Sequence, residues 1–148
     1  MANLRKPRYG GKRNNSPPPD DYDFDERLYE TELTYFDKES GIEIKIIKPI
    51  DDSKATNTPS VSHSKNAIYA IINKKGESKQ ITVYRDNRTK DYDIDLDHNH
   101  SGDAQYNNGH VHYYDNEGNR DKNYSLPNDY QKKLIQLLQD ARRVKANG

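Results

Sequence analysis

The chain has no cysteine. Disulfides and thiolate metal sites are therefore excluded, and either redox compartment is permitted. Tryptophan is absent as well, and two phenylalanines stand against twelve tyrosines. An interior built on tyrosine is shallow and half-wet, because each hydroxyl needs a polar partner. No apolar run is long enough for a membrane-spanning helix, which needs about 18 residues. Net charge of one sign is also lacking, since 24 Lys and Arg balance 24 Asp and Glu. The chain as a whole thus has no electrostatic preference for nucleic acid or an anionic membrane. Its basic beginning is followed by no apolar stretch of the secretory kind. A cytoplasmic protein with no membrane partner is expected.

Of the 148 residues, 30% are hydrophobic and 32% are charged. That composition supports one small folded domain with polar segments beside it. Residues 1–26 read as a flexible charged arm. Arg5, Lys6, Arg8, Lys12 and Arg13 precede three prolines, and Asp20, Asp21, Asp23, Asp25 and Glu26 follow them. The basic half suits contact with nucleic-acid phosphates. The acids beside it cancel its charge and favour a solvated tail. Residues 27–50 read as a β-hairpin. Ile42, Ile44 and Ile46 alternate with Glu43 and Lys45, and Asp37 to Gly41 has turn chemistry. Before that turn the alternation is weaker, and a short helix competes with a strand. Residues 51–66 are a linker or long loop, rich in Ser, Thr, Asn and Pro. His63 stands alone there and receives no role.

Residues 67–148 carry the compact domain. Ala67 to Asn73 is apolar on both faces, as a central strand would be. Three further strands follow, over Lys79 to Arg85, Tyr92 to Leu96 and Gly109 to Tyr114. A helix is expected from Ser125-Leu126-Pro127 onward, with Ser125 as its N-cap. Tyr130, Leu134, Leu137, Leu138, Ala141 and Val144 form its apolar stripe. The fold class is α+β: a small antiparallel β-meander with one C-terminal helix packed on it. Whether the 27–50 hairpin joins the same sheet is left open.

Side chains that do chemistry near neutral pH concentrate between Asp91 and Tyr114. Four of the five histidines lie there as two His-x-His pairs, His98/His100 and His110/His112, behind aspartates at 91, 93, 95 and 97. Strand alternation sorts them. If Tyr92, Ile94 and Leu96 face the helix, the aspartates face away. Val111 and Tyr113 as core residues send His110, His112 and Tyr114 to that same outward face. Asp95 and Asp97 then meet His110 and His112, provided the two strands pair. His98 and His100 fall in the loop at the rim. A divalent metal held by His110, His112, Asp95, Asp97, His98 and His100 is one reading. Metal-free acid–base chemistry is a second, and it needs a phosphate-binding cation from Arg85, Arg88, Lys90 or Arg120. The third is structural: exposed histidines paired with aspartates on a polar sheet face, or a surface that recognises a partner. No phosphate-cradling loop or nucleophile motif is present.

The segments IYAIINKKGE, QITVY, IDLDHNHSG and GHVHYYDNEG, followed by a Leu-Pro-led helix, resemble a C-terminal module of small phage, prophage and mobile-element proteins of Gram-positive bacteria. The resemblance covers roughly half of the chain. It implies residence in a phage or integrative element, hence a host-cell cytoplasm, and no particular activity. The leading expectation is a small non-enzymatic protein that binds a protein partner and holds a divalent metal. A metal-dependent nuclease or toxin-type effector is the alternative, with an inhibitor of a host nucleic-acid enzyme behind it.

Overall fold

The computed structural model describes residues 29–50, 57–73, 75–96 and 109–147. The 1–26 arm lies outside the described residues. Six strands form one sheet in chain order: β1 (Tyr29–Asp37), β2 (Ile42–Pro49), β3 (Ile68–Ile72), β4 (Ser78–Tyr84), β5 (Lys90–Asp95) and β6 (His110–Tyr113). A single helix, α1 (Asp129–Asn147), completes the fold. This is the expected α+β arrangement of a β-meander with one C-terminal helix. The stretch from Tyr29, which could have been helical, is the first strand of a hairpin. Gly41 closes its turn with a φ of 78°, a left-handed value that glycine adopts without strain. A bulge between Thr31 and Leu33 interrupts the pairing of β1 with β2.

Every neighbouring pair is antiparallel except β2 and β3, which run parallel. Parallel neighbours need a crossover connection. Here its described part, residues 57–66, lies over the sheet face opposite α1, where Thr58, Val61 and Ser62 are buried. Three tyrosine hydroxyls hold it down. Tyr29 donates to the Asn57 carbonyl at 2.7 Å and Tyr84 to the Pro59 carbonyl at 2.5 Å, while the Tyr69 hydroxyl accepts from the His63 amide at 2.7 Å. The tyrosine excess thus has a specific use: rings that bury apolar area and hydroxyls that dock a loop.

The two faces differ in chemistry. On the helix side Ile44, Ile46, Ala70, Ile72, Ile81, Ile94 and Val111 pack against Leu134, Leu137, Leu138 and Ala141. Each such leucine contributes about 1.5–3 kcal/mol by leaving water. The opposite side has a smaller apolar group of Tyr29, Ile47, Tyr69, Ile71 and Tyr84. Towards β6 it turns polar.

The helix begins three residues later than its Leu-Pro signal suggests. Asn128 is the N-cap: its Oδ1 accepts from the Gln131 amide at 2.8 Å, and Gln131 Oε1 accepts from the Asn128 amide at 2.9 Å. That reciprocal box outcompetes Ser125. Ser125 instead exchanges backbone hydrogen bonds with Val111, extending the sheet past β6. Two members of the expected apolar stripe, Tyr130 and Val144, are exposed, so the contact surface is shorter than the pattern.

Two substitutions test this layering by urea denaturation. Leu138→Ala should destabilise by about 2–5 kcal/mol, through lost burial and a residual cavity. Tyr84→Phe should cost about 1–3 kcal/mol, because the Pro59 carbonyl loses its donor. An unchanged midpoint in the second variant would mean that the hydroxyl does not hold the crossover.

Candidate metal centre

Register places the site. β5 pairs with β6 so that Asp95 faces His110 and Asp93 faces His112, and β4 sets Gln80 beside Asp95 and Thr82 beside Asp93. Alternation sends these six side chains to the face away from α1. Gly109 makes the entry to β6 possible. Its φ is 121°, and a Cβ there would lie 3.3 Å from a Leu96 methyl and 3.4 Å from the Asp95 carbonyl oxygen.

The face is buried, where the sequence pattern alone left it open to solvent. His110 is fully buried, and Asp93, Asp95 and His112 expose 1%, 3% and 4% of their surface. The reason is the chain after β6. Tyr114 and Arg120 form an antiparallel bridge across a tight turn. Asp115 Oδ1 shapes that turn by accepting the Glu117 and Asn119 amides at 2.9 and 2.8 Å. The returning segment lays Arg120, Asp121 and Tyr124 over the face. The Tyr124 ring meets His110 edge-on at 5.1 Å and lies 5.8 Å from His112.

A polar network fills the layer. Gln80 Nε2 donates to Asp95 Oδ1 at 2.9 Å, and Arg120 Nη2 donates to Asp95 Oδ2 at 2.8 Å. Thr82 Oγ1 donates to Asp93 Oδ1 at 2.5 Å and the Tyr114 hydroxyl to Asp93 Oδ2 at 2.6 Å. Arg120 Nε reaches Asp93 Oδ2 at 3.4 Å, and Lys90 Nζ lies 3.6 Å from Asp93 Oδ1. Thr58 from the crossover accepts a place in the same network, at 3.0 Å from Gln80 Oε1 and 2.5 Å from Thr82 Oγ1. Buried carboxylates are thus satisfied oxygen by oxygen.

These contacts set the protonation states. Burial pushes the Asp95 carboxyl upward, but the Gln80 hydrogen bond and the Arg120 charge outweigh it and hold its pKa below the usual value. Burial lowers the pKa of Lys90, with Asp93 opposing. Burial first, then the Asp93 charge, pushes the Tyr114 hydroxyl up, so it stays a donor.

Asp95, His110 and His112 each offer a ligand atom, and these atoms lie within 4.8 Å of one another. His110 Nε2 is 3.4 Å and His112 Nε2 3.7 Å from Asp95 Oδ2. Both exceed an ordinary N–H···O hydrogen bond. They approach the edge of a tetrahedron around zinc, about 3.3–3.4 Å for zinc–ligand bonds of about 2.0–2.1 Å. His112 Nδ1 lies 3.0 Å from the Asp121 carbonyl oxygen. A carbonyl only accepts, so Nδ1 carries a proton, which leaves Nε2, on the Asp95 side, as the nitrogen that could take a metal.

Of the six ligands expected from sequence, Asp95, His110 and His112 come together. Asp97, His98 and His100 lie outside the described residues. Sequence reasoning left Arg120 and Lys90 unplaced and missed Gln80, Thr82, Thr58 and the Asp121 carbonyl. One signal was available: Gln80 and Thr82 interrupt a central strand at the parity opposite Ile81 and Val83. No family model, curated protein or solved structure matches this chain.

The depressed Asp95 pKa has a signed consequence. Its stabilisation is complete above the unfolded carboxyl pKa, about 3.9, and is lost as pH falls through the lower folded value. Urea unfolding of the parent should therefore show a loss below about pH 4 that Asp95→Asn reduces. An identical acid profile in both proteins would assign the loss to other carboxylates.

Proposed function

We propose that this protein is a small binding protein whose polar sheet layer holds a divalent transition metal through Asp95, His110 and His112. The observation that carries the reading is the spacing of the two Nε2 atoms from Asp95 Oδ2, 3.4 and 3.7 Å, with the His112 tautomer fixed from behind by Asp121. Two imidazoles and one carboxylate suit zinc, cobalt, nickel or iron better than calcium or magnesium, which prefer all-oxygen shells. Arg120 is compatible with an ion. A carboxylate oxygen has two lone pairs, so Oδ2 can serve the guanidinium and the metal together. The guanidinium also touches Asp93 and keeps a carboxylate if it is pushed away.

Metal-free acid–base catalysis on phosphate has less support. The cations it would use are already engaged. Arg120 and Lys90 lie against Asp93 and Asp95, Arg85 donates to the Tyr114 and Asp115 carbonyls, and Arg88 donates to the His63 carbonyl. A binding role in a phage or mobile element also agrees with the resemblance of the DHNH and HVHYY segments to such modules.

Metal analysis of tag-free protein, reconstituted with zinc and desalted, tests the reading. About one equivalent is expected for the parent and for His63→Ala, and less than about a tenth for His110→Ala or His112→Ala. At a hundredfold excess over the dissociation constant, zinc should add about 2.7 kcal/mol of stability. A parent that retains no zinc, nickel or cobalt would exclude the metal.

A further inference from the structure

We infer that the chain from Tyr114 to Ser125 is a strap that opens while the sheet stays folded, and that its opening admits solutes to Asp95, His110 and His112. The inference rests on the metal reading above and names the gate of that same site. Its first basis is depth. His110 is fully buried, and Asp95 and His112 expose 3% and 4% of their surface. A hydrated ion reaches such atoms only when a covering element moves. Behind the site lie the sheet and the apolar layer that α1 packs against. Among the described residues, two elements lie in front of it. The crossover brings Thr58, which bonds Gln80 and Thr82, and tyrosine hydroxyls dock that segment at Asn57, Pro59 and His63. The strap instead lies on the ligands themselves. Arg120 donates to Asp95 at 2.8 Å, the Asp121 carbonyl accepts from His112 Nδ1 at 3.0 Å, and the Tyr124 ring packs on both histidines.

The second basis is how the strap is held. From Asp115 to Asn123 it contains no apolar residue. Every residue in that stretch is exposed except Gly118, which is half-buried. Its backbone ties are the Val111–Ser125 pair and the Asp121 amide, which donates to the Tyr113 carbonyl at 2.8 Å. Its side-chain ties are Arg120 on the two aspartates and Arg85, which donates to the Tyr114 and Asp115 carbonyls. Polar ties of this kind contribute little net stability, because water replaces them when the segment lifts. Half-buried Tyr124 is its apolar anchor. An exposed segment with few apolar contacts belongs to the least stable part of a fold, which opens without global unfolding. Lifting the strap leaves the helix-side core of Ile81, Ile94, Leu134 and Leu138 intact, and Val111 keeps its pairing with Ile94.

The full chain tests the gate with and without metal. In metal-free protein, the amides of Asp121 and Ser125 donate to the Tyr113 and Val111 carbonyls, and that of Tyr84 to Ala67. After correction for intrinsic rates, the first two should exchange hydrogen at least about tenfold faster than Tyr84, and dilute urea should change their rates little. Two variants loosen the strap without touching the ligands. Asp115→Ala removes the acceptor of the Glu117 and Asn119 amides, and Arg85→Ala releases the Tyr114 and Asp115 carbonyls. In each, cobalt should enter and leave about tenfold faster, with about one equivalent still bound. Diethyl pyrocarbonate needs no metal site, and should modify His110 and His112 correspondingly faster while exposed His63 reacts at the parent's rate. Strap amides that exchange no faster than Tyr84 would overturn the inference. So would unchanged cobalt and histidine-modification rates in both variants, since the histidines are then reached another way. Cobalt that never binds, beside histidine modification that still follows the strap, would remove the metal and leave the gate.

Discussion

The guanidinium of Arg120 is the contact on which the polar half of this protein depends. It spans Asp93 and Asp95 at the point where both carboxylates leave water. Two like charges on one strand, pointing to one buried face, would otherwise repel each other and resist ionisation. With Arg120 on one side and Gln80, Thr82 and Tyr114 on the other, each oxygen has a donor. Arg120 in turn depends on the turn from Asp115 to Asn119, which folds the chain back along β6. A surface loop therefore governs the interior electrostatics.

The single parallel pair in the sheet has an effect out of proportion to its size. Because β2 and β3 point the same way, the chain must travel the length of the sheet between them. Its described part lies over the face that α1 leaves uncovered. The same crossover supplies Thr58 to the Gln80 and Thr82 network. An all-antiparallel sheet of these six strands could reach the same order with short turns, but nothing would then shelter Tyr69, Tyr84 and the threonine row.

Much of this was legible in the sequence. Period-two alternation located β2, β5 and β6, the unbroken apolar run located β3, and parity, on the condition that β5 pairs with β6, put Asp95 and Asp97 with His110 and His112; Asp97 lies outside the described residues. What parity could not give was depth. Whether a polar face is wet or buried depends on what lies over it, and Arg120 and Tyr124 come from a segment with no periodic signal. Helix onset was misplaced for a related reason. Ser125-Leu126-Pro127 and Asn128 to Gln131 are both acceptable starts, and the choice was made by a sheet contact to Val111 that local sequence does not reveal. The role of Tyr29, Tyr69 and Tyr84 was visible only as a compositional excess. Their partners are backbone carbonyls and an amide, which carry no sequence signature.

One consequence lies at the other end of the sheet. The outer side of β6 is occupied by the returning chain through Val111–Ser125 and Tyr114–Arg120, so β1 is the remaining edge among the described strands. An edge of nine residues invites strand-by-strand association between molecules. Here the bulge at Thr31 and Leu33 breaks its regular hydrogen-bonding row, and Glu30 and Glu32 place charge along it, held by Lys48 and, for Glu32, by Lys145. A second copy approaching edge to edge would meet an interrupted ladder and would have to strip water from those ion pairs. The irregularity in the first hairpin thus works as a guard against polymerisation, and it does so at the edge farthest from the histidines.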